Sequence, residues 1–406
     1  MARMFGSAFR LSMSEKLSPS PETAQKRIYY IDSGRALASI LGIFYHTALV
    51  FSTPWLINIE PERFARGLYV ISSFISNFRM PLFLFIAGYF TMYSINKYVM
   101  PDYLAHRTRR IALPFLASLL TLLPIQAYFR TKFNYGQQWS DHIGPLLNPI
   151  SSNFTMEHLW FLYYIIIFSL VVAGFEVFRR LFKVKTAAQT LYSLANRSFI
   201  SAIIFWSSVN LMVTIPLTLL ASRLSLDNAW FPLGGLAHNS VMFMFGAYCF
   251  RHRDEMDQIL SPSPMKTLLG LVTVLALYSV RIYLEDKSMS HAWMTLTLMD
   301  IPLRWLLTLG VLSLLRQALN SGSPALNYLS NASYPVYLFH QPIIVGISYY
   351  YVSSGMKLNP YLGYALVCGS ALILTYALYE VIIRRTRMGS FLYTGSSARA
   401  TRAQSA

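Results

Sequence analysis

Apolar runs of helical length recur along the chain, parted by polar, proline-containing or basic stretches. An α-helix rises about 1.5 Å per residue, so about 20 mostly apolar residues reach across the hydrocarbon of a bilayer. On that measure the pattern predicts spans near 36–53, 68–93, 111–129, 158–178, 199–220, 236–250, 267–284, 292–315, 334–353 and 361–383. The expected fold is all-α, a polytopic membrane bundle of about ten transmembrane helices. The sixth span is short and the second long, which predicts tilt or breaks in them. Residues 1–28 read as a polar N-terminal tail, 29–385 as one transmembrane domain and 386–406 as a basic C-terminal tail. The first tail has no long apolar run and no small-residue cleavage site, so it does not read as a signal peptide.

Composition agrees. Of 406 residues, 54% are hydrophobic and 13% charged, whereas soluble domains carry about 25% charged residues. A soluble globule does not fit. The net charge of +17 raises the question of nucleic acid, but the positive charges fall between alternate apolar blocks. With both termini cytoplasmic, the inside segments collect Arg107, Arg109, Arg110, Arg179, Arg180, Arg251, Arg316 and Arg384, among others. The outside loops hold only Arg63, Arg66, Arg130, Lys132, Arg223, Lys287 and Lys357. This positive-inside bias supports an even number of spans and leaves no case for a nucleic-acid partner. The longest outside loop, 130–157, is polar, aromatic and rich in Pro and Gly, suited either to a sugar-like partner or to plain connection. Cys249 and Cys368 lie inside apolar blocks and form neither a disulfide framework nor a metal spacing.

Ionisable groups at membrane depth cost about 2.5–3.5 kcal/mol each on insertion scales, so each needs a partner or a task. Arg304 has Asp300 four residues earlier and Arg281 has Glu285 four residues later, spacings that predict structural ion pairs. Arg79 has only Ile75, Ser76, Leu82 and Phe83 at those spacings. Its counter-ion must come from another helix or from an anionic ligand. His46 lies deep in the first span, on a stripe of polar and small residues formed by Asp32, Arg35, Ser39, Gly42 and His46 at steps of three and four. Arg35 and His46 share that face about 16 Å apart. An imidazole accepts and returns a proton near neutral pH, which suits activation of a hydroxyl; an interior hydrogen bond is the plainer explanation of a lone histidine.

Glu157, His158 and Trp160 mark the outer start of the fourth span, and Tyr337 and His340 one side of the ninth. Aromatic anchoring or bundle packing explains them as well as chemistry does. Arg107 and Arg110 stand three apart at the inner mouth of the third span. They fit topology signalling, or a phosphate site, since guanidinium forks match phosphate oxygens. No His, Cys or carboxylate cluster has ligand spacing, and no metal is expected.

Arg35, ten residues and His46, within RIYYIDSGRALASILGIFYHTALVFS, resemble a hallmark of the acyltransferase-3 superfamily of membrane proteins. So does Arg107-x-x-Arg110 followed by Pro114. Further blocks resemble its glucan-modifying branch: SNFRMPLFLFIAGYF around Arg79, HLWFL from His158, NASYPVYLFHQP from Asn331, and LYE ending at Glu380. Together they cover nearly the whole chain, with 130–156 and 180–330 matching less clearly. No appended soluble esterase-like domain is expected.

The resemblance implies a multi-pass protein of the bacterial inner membrane that moves an acyl group from cytoplasmic acyl-CoA to hydroxyls of a periplasmic glucan. In the glucan-modifying branch the group is succinyl, making the enzyme an O-succinyltransferase with succinyl-CoA as co-substrate and no tightly bound cofactor. It further implies His46 as general base or covalent acyl carrier, and Arg107 and Arg110 on the nucleotide part of CoA, with Arg35 nearby. Asp32 would fix Arg35, and Arg79 would meet the free carboxylate of a succinyl group. Rival readings are acetyl transfer to another cell-surface polysaccharide, and glycan or solute transport. The paired, interrupted helices common in transporters are not apparent.

Overall fold

The computed structural model describes residues 28–57, 59–182, 195–224, 230–261, 263, 270, 272–276, 278–280, 283 and 292–396, and among these there is no strand. The helices are α1 (Tyr29–Val50), α2 (Arg66–Lys97), α3 (Met100–Arg107), α4 (Leu113–Tyr135), α5 (Trp139–Leu147), α6 (Trp160–Leu181) and α7 (Phe199–Leu224). There follow α8 (Leu233–Arg251), α9 (Arg253–Ile259), α10 (Ala292–Ala318), α11 (Pro324–Ser353), α12 (Pro360–Leu378) and α13 (Arg387–Thr394). Wider π-helical turns join α3 to α4 at Thr108–Ala112 and extend α12 over Tyr379–Arg384.

Six described helical runs are long and apolar enough to cross a membrane: Arg66–Lys97, Met100–Leu147, Glu157–Leu181, Phe199–Leu224, Thr297–Ala318 and Pro360–Arg384. Helices α1, α8 and α11 occupy three more of the expected spans but are not among those six. Their interior-facing polar residues lower the hydropathy: Arg35 and His46 on α1, His238 and Asn239 on α8, His340 and Gln341 on α11. In the expected span 267–284 the described residues, 270, 272–276, 278–280 and 283, are helical, while Arg281 and Glu285 lie outside the described residues. Arg304, which has Asp300 a turn earlier, also reaches the ring of His238 on α8.

Helix α2 is the hub, packing against α1, α6, α8 and α10. Of the tilt or break expected in it, the break does not occur, since the helix continues through Pro81. Its approach to α8 is close because both helices present glycine there. A Cβ on Gly88 would run into the carbonyl of Phe243, and one on Gly246 into that of Phe85. Small residues of this kind let backbones meet and gain dispersion contact where lipid offers no hydrophobic drive. Around the crossing, Phe85 and Phe245 lie 5.6 Å apart and Phe245 and Trp305 5.2 Å apart, all fully buried.

At the arginine-rich end, Glu176 on α6 is 1% exposed and accepts from Arg179 at 2.8 Å, Arg180 at 2.9 Å and Arg251 of α8 at 2.5 Å. One carboxylate thus ties two helices together. The opposite end departs from expectation, because much of 130–157 is helical. α4 runs on to Tyr135, and α5 follows with Trp139, Ile143, Leu146 and Leu147 on one face, a helical period hidden by Gly144 and Pro145.

The segment read as a basic tail also begins with structure. In α13 the Thr386 side chain caps the N-terminus by accepting from Gly389 N, and Gly395 ends the helix at φ +61°. Tyr393 anchors it, 4.9 Å from the Phe339 ring and hydrogen-bonded to Thr121 at 2.8 Å.

Candidate active site

The polar stripe of α1 meets α11 first through Arg35. Its guanidinium donates to Ser330 Oγ at 2.7 Å and to the Ser330 carbonyl at 3.1 Å. Asp32, one turn earlier, lies 3.5 Å from Arg35 and accepts from Ser330 Oγ at 3.3 Å. Asp32 therefore fixes the arginine and the helix pair together. Arg107 donates to Thr91 Oγ1 of α2 at 2.8 Å and lies over the Tyr103 ring at 5.5 Å. Arg110 donates to the Thr394 carbonyl of α13 at 3.1 Å. The two stand on either side of the start of the π-helical turn, a departure from regular winding that often marks functional positions. Arg35, Arg107 and Arg110 line one cavity of about 210 Å³, whose apolar walls include Phe83 and Phe161.

A second cavity, of about 110 Å³, is lined by His46, Arg79, His158, Trp160, Tyr45 and Tyr337. Tyr337 lines both cavities. Arg79 is 5% exposed, and its guanidinium lies 4.6 Å from the Tyr45 ring centroid. Its Nε has no hydrogen-bond partner, and no carboxylate pairs with it among the described residues. A cation over an aromatic face is stabilised by the ring quadrupole, but this is weaker than pairing with an anion.

Three histidines surround this arginine. The His46 ring is 5.1 Å from that of His340, and His340 is 5.7 Å from His158. His340 Nδ1 sits 2.7 Å from the Tyr337 carbonyl and 3.1 Å from that of Val336. Carbonyls only accept, so Nδ1 carries the proton and Nε2, which has no partner, presents a lone pair. By the same reasoning His158 donates through Nε2 to the Leu338 carbonyl at 2.9 Å, leaving Nδ1 bare. His46 Nδ1 has no partner either, and its ring is stacked on Trp55 at 5.2 Å. Gly42 makes room for the group: a Cβ there would lie 2.7 Å from Arg79 Nη1 and 3.3 Å from His340 Nε2.

The structure thus brings together residues from the first, second, fourth and ninth expected spans. Trp160 and Tyr337 line the cavity rather than a lipid belt. Glu157 is occupied elsewhere, accepting from Arg130 at 2.7 Å and Thr155 at 2.8 Å. Sequence reasoning missed Tyr45, Trp55, Thr91 and Ser330. Tyr45 adjoins His46, which gave a hint; Trp55 lies in a loop and carried no periodic signal.

Chemically, the first cavity offers guanidinium groups to an anionic ligand. The second offers imidazole nitrogens able to take a proton, beside a cation lacking an anion. Glucans biosynthesis protein C of Salmonella typhi, of Salmonella typhimurium and of Salmonella heidelberg are each 27% identical to this chain over 395 residues, with 91% of this chain and 95% of theirs covered. No solved structure matches the chain. A family model described as an acyltransferase domain matches residues 28–380, which hold both cavities' arginines and histidines. The chain belongs to the acyltransferase-3 family of membrane acyltransferases.

Proposed function

We propose that this protein transfers an acyl group, succinyl before acetyl, from cytoplasmic acyl-CoA to a hydroxyl of a periplasmic glucan, working in the bacterial inner membrane. The observation that carries the reading is that Tyr337 lines both cavities, the one with Arg35, Arg107 and Arg110 and the one with imidazoles and Arg79. A thioester whose phosphates rest on Arg107 and Arg110 would extend its arm past Phe83 and Phe161 toward His46. The relatives named for glucan biosynthesis support the acceptor.

In the reaction, His46 takes the proton of the acceptor hydroxyl. The oxygen forms a C–O bond to the thioester carbonyl carbon, the C–S bond breaks, and the thiolate leaves with the proton returned by the imidazole. A succinyl group brings a free carboxylate, and Arg79 is a cation at that depth that no carboxylate pairs with among the described residues. An acetyl group would leave it so, which favours succinyl.

The purified protein in detergent tests this. Succinyl-CoA should be consumed in step with the appearance of succinylated glucan. His46→Ala should cut turnover about 10²- to 10⁴-fold, the usual worth of a positioned general base. Movement of intact glycan without thioester loss would assign the protein to transport instead.

A further inference from the structure

Two of the three clustered imidazoles are held by backbone carbonyls, His340 through Nδ1 and His158 through Nε2. His46 is held differently. It makes no hydrogen bond among the described residues, and its buried Nδ1 has no partner. The outer torsion of a histidine side chain is broad, so a ring without a hydrogen bond keeps one plane only where packing fixes it. Three aromatic rings pack on this one. Tyr45, its neighbour on α1, meets it edge-on at 4.7 Å and 74°, and His340 lies at 5.1 Å and 49°. Of the three, only the Trp55 indole is close to parallel with it, the ring centroids 5.2 Å apart and the planes at 25°.

Trp55 does not come from a helix. It stands in the loop that joins α1 to α2, at the end of the bundle away from Arg107 and Arg110. That loop is tied at three points. Ala65 N donates to the Phe51 carbonyl at 2.9 Å and closes its base, Asn134 Nδ2 of α4 donates to the Leu56 carbonyl at 3.0 Å, and Arg63 donates to the Met356 carbonyl at 2.6 Å. Leu56 and Ile57, directly after the tryptophan, are buried. Trp55 itself is partly exposed, while the His46 ring it covers belongs to a residue only 8% exposed. A flat apolar plate is thus fixed against one face of the base and reaches the surface.

An acyl thioester beside a general base reacts with whichever hydroxyl arrives. Water competes with the sugar: its oxygen forms the C–O bond to the same carbonyl carbon, the same C–S bond breaks, and free succinate leaves with the thiol of CoA reprotonated. A site that keeps water out suppresses that branch, and a base held in one plane favours a hydroxyl that is itself positioned.

We propose that Trp55 is a positioning residue for the transfer, its indole fixing the plane of His46 and covering that face against water, so that the acyl group passes to a sugar hydroxyl. The proposal rests on the reading of His46 as general base toward an acyl-CoA donor. It gives the loop between α1 and α2 a part in acceptor selection.

Both products are measured in one reaction of the full-length protein in detergent with succinyl-CoA and periplasmic glucan. Trp55→Ala should raise the ratio of free succinate to succinylated glucan about three- to tenfold, the worth of one aromatic contact. Trp55→Phe, which keeps a flat ring, should bring the ratio back toward the native value. The ratio does not depend on how much of the protein is folded, so a fall in total turnover leaves it readable. Should the alanine variant not accumulate, Trp55→Leu takes its place, since it also lacks the flat face, and should raise the ratio in the same direction. An unchanged ratio, with both products falling together, would overturn the proposal while leaving acyl transfer standing. A native protein that consumes no succinyl-CoA would remove the underlying reading instead.

Discussion

Arg79 shows how much one residue's surroundings can say. Its lack of a carboxylate was legible from positions three and four away, because those are its neighbours on a helix. The three imidazoles around it were not, since His158 and His340 arrive from helical segments more than 70 and 250 residues later in the chain. Buried among them, the guanidinium has a ring face in place of an anion. Arg79→Ala should therefore lower succinyl transfer about 10- to 100-fold, the scale of a lost charge-assisted hydrogen bond, and acetyl transfer by much less. Parallel assays with succinyl-CoA and acetyl-CoA check this; equal losses with both donors would detach Arg79 from the acyl group.

Helix α2 meets α8 where each backbone is bare of side chain, and stability should reflect it. Gly88→Val or Gly246→Val forces the facing backbone apart and should destabilise the protein by about 3 kcal/mol or more, in the range of severe overpacking. Gly174→Ala is the contrast, because nothing lies within 4 Å of its Cβ position. It should be neutral or stabilise by up to about 1 kcal/mol through helix propensity. Thermal unfolding in detergent, read by tryptophan fluorescence, would show a lowered midpoint for the first pair and none for the third. Hydropathy located the long apolar helices well but undervalued α5 and α13. Each is too short to span, and each gains its stability from neighbours, as Tyr393 shows by binding Thr121 and packing on Phe339.

The molecule as a whole is arranged by charge as well as by packing. Glu176 holds Arg179, Arg180 and Arg251 at one end, while Glu157 and Arg130 pair at the other. With the basic end facing the cytoplasm, a cysteine at Gln258 should be shielded from an impermeant maleimide in intact spheroplasts, and one at Ser354 should be labelled. Both native cysteines are buried, which keeps the background low. Labelling in the reverse order would invert the bundle and put the arginine cavity on the side away from CoA.

By itself the sequence determined that the chain is a helical membrane protein, which stretches hold its long apolar helices, and that Arg35 and His46 share one face. Those properties follow from length, hydropathy and a period of 3.6, all local along the chain. Tertiary structure alone decided that His158, His340 and Arg79 gather at His46, and that α13 folds back to wall a basic cavity. A helical period reports only on neighbours within a turn. Which helices touch is set by where bare backbone, ring and carboxylate fit one another across the bundle.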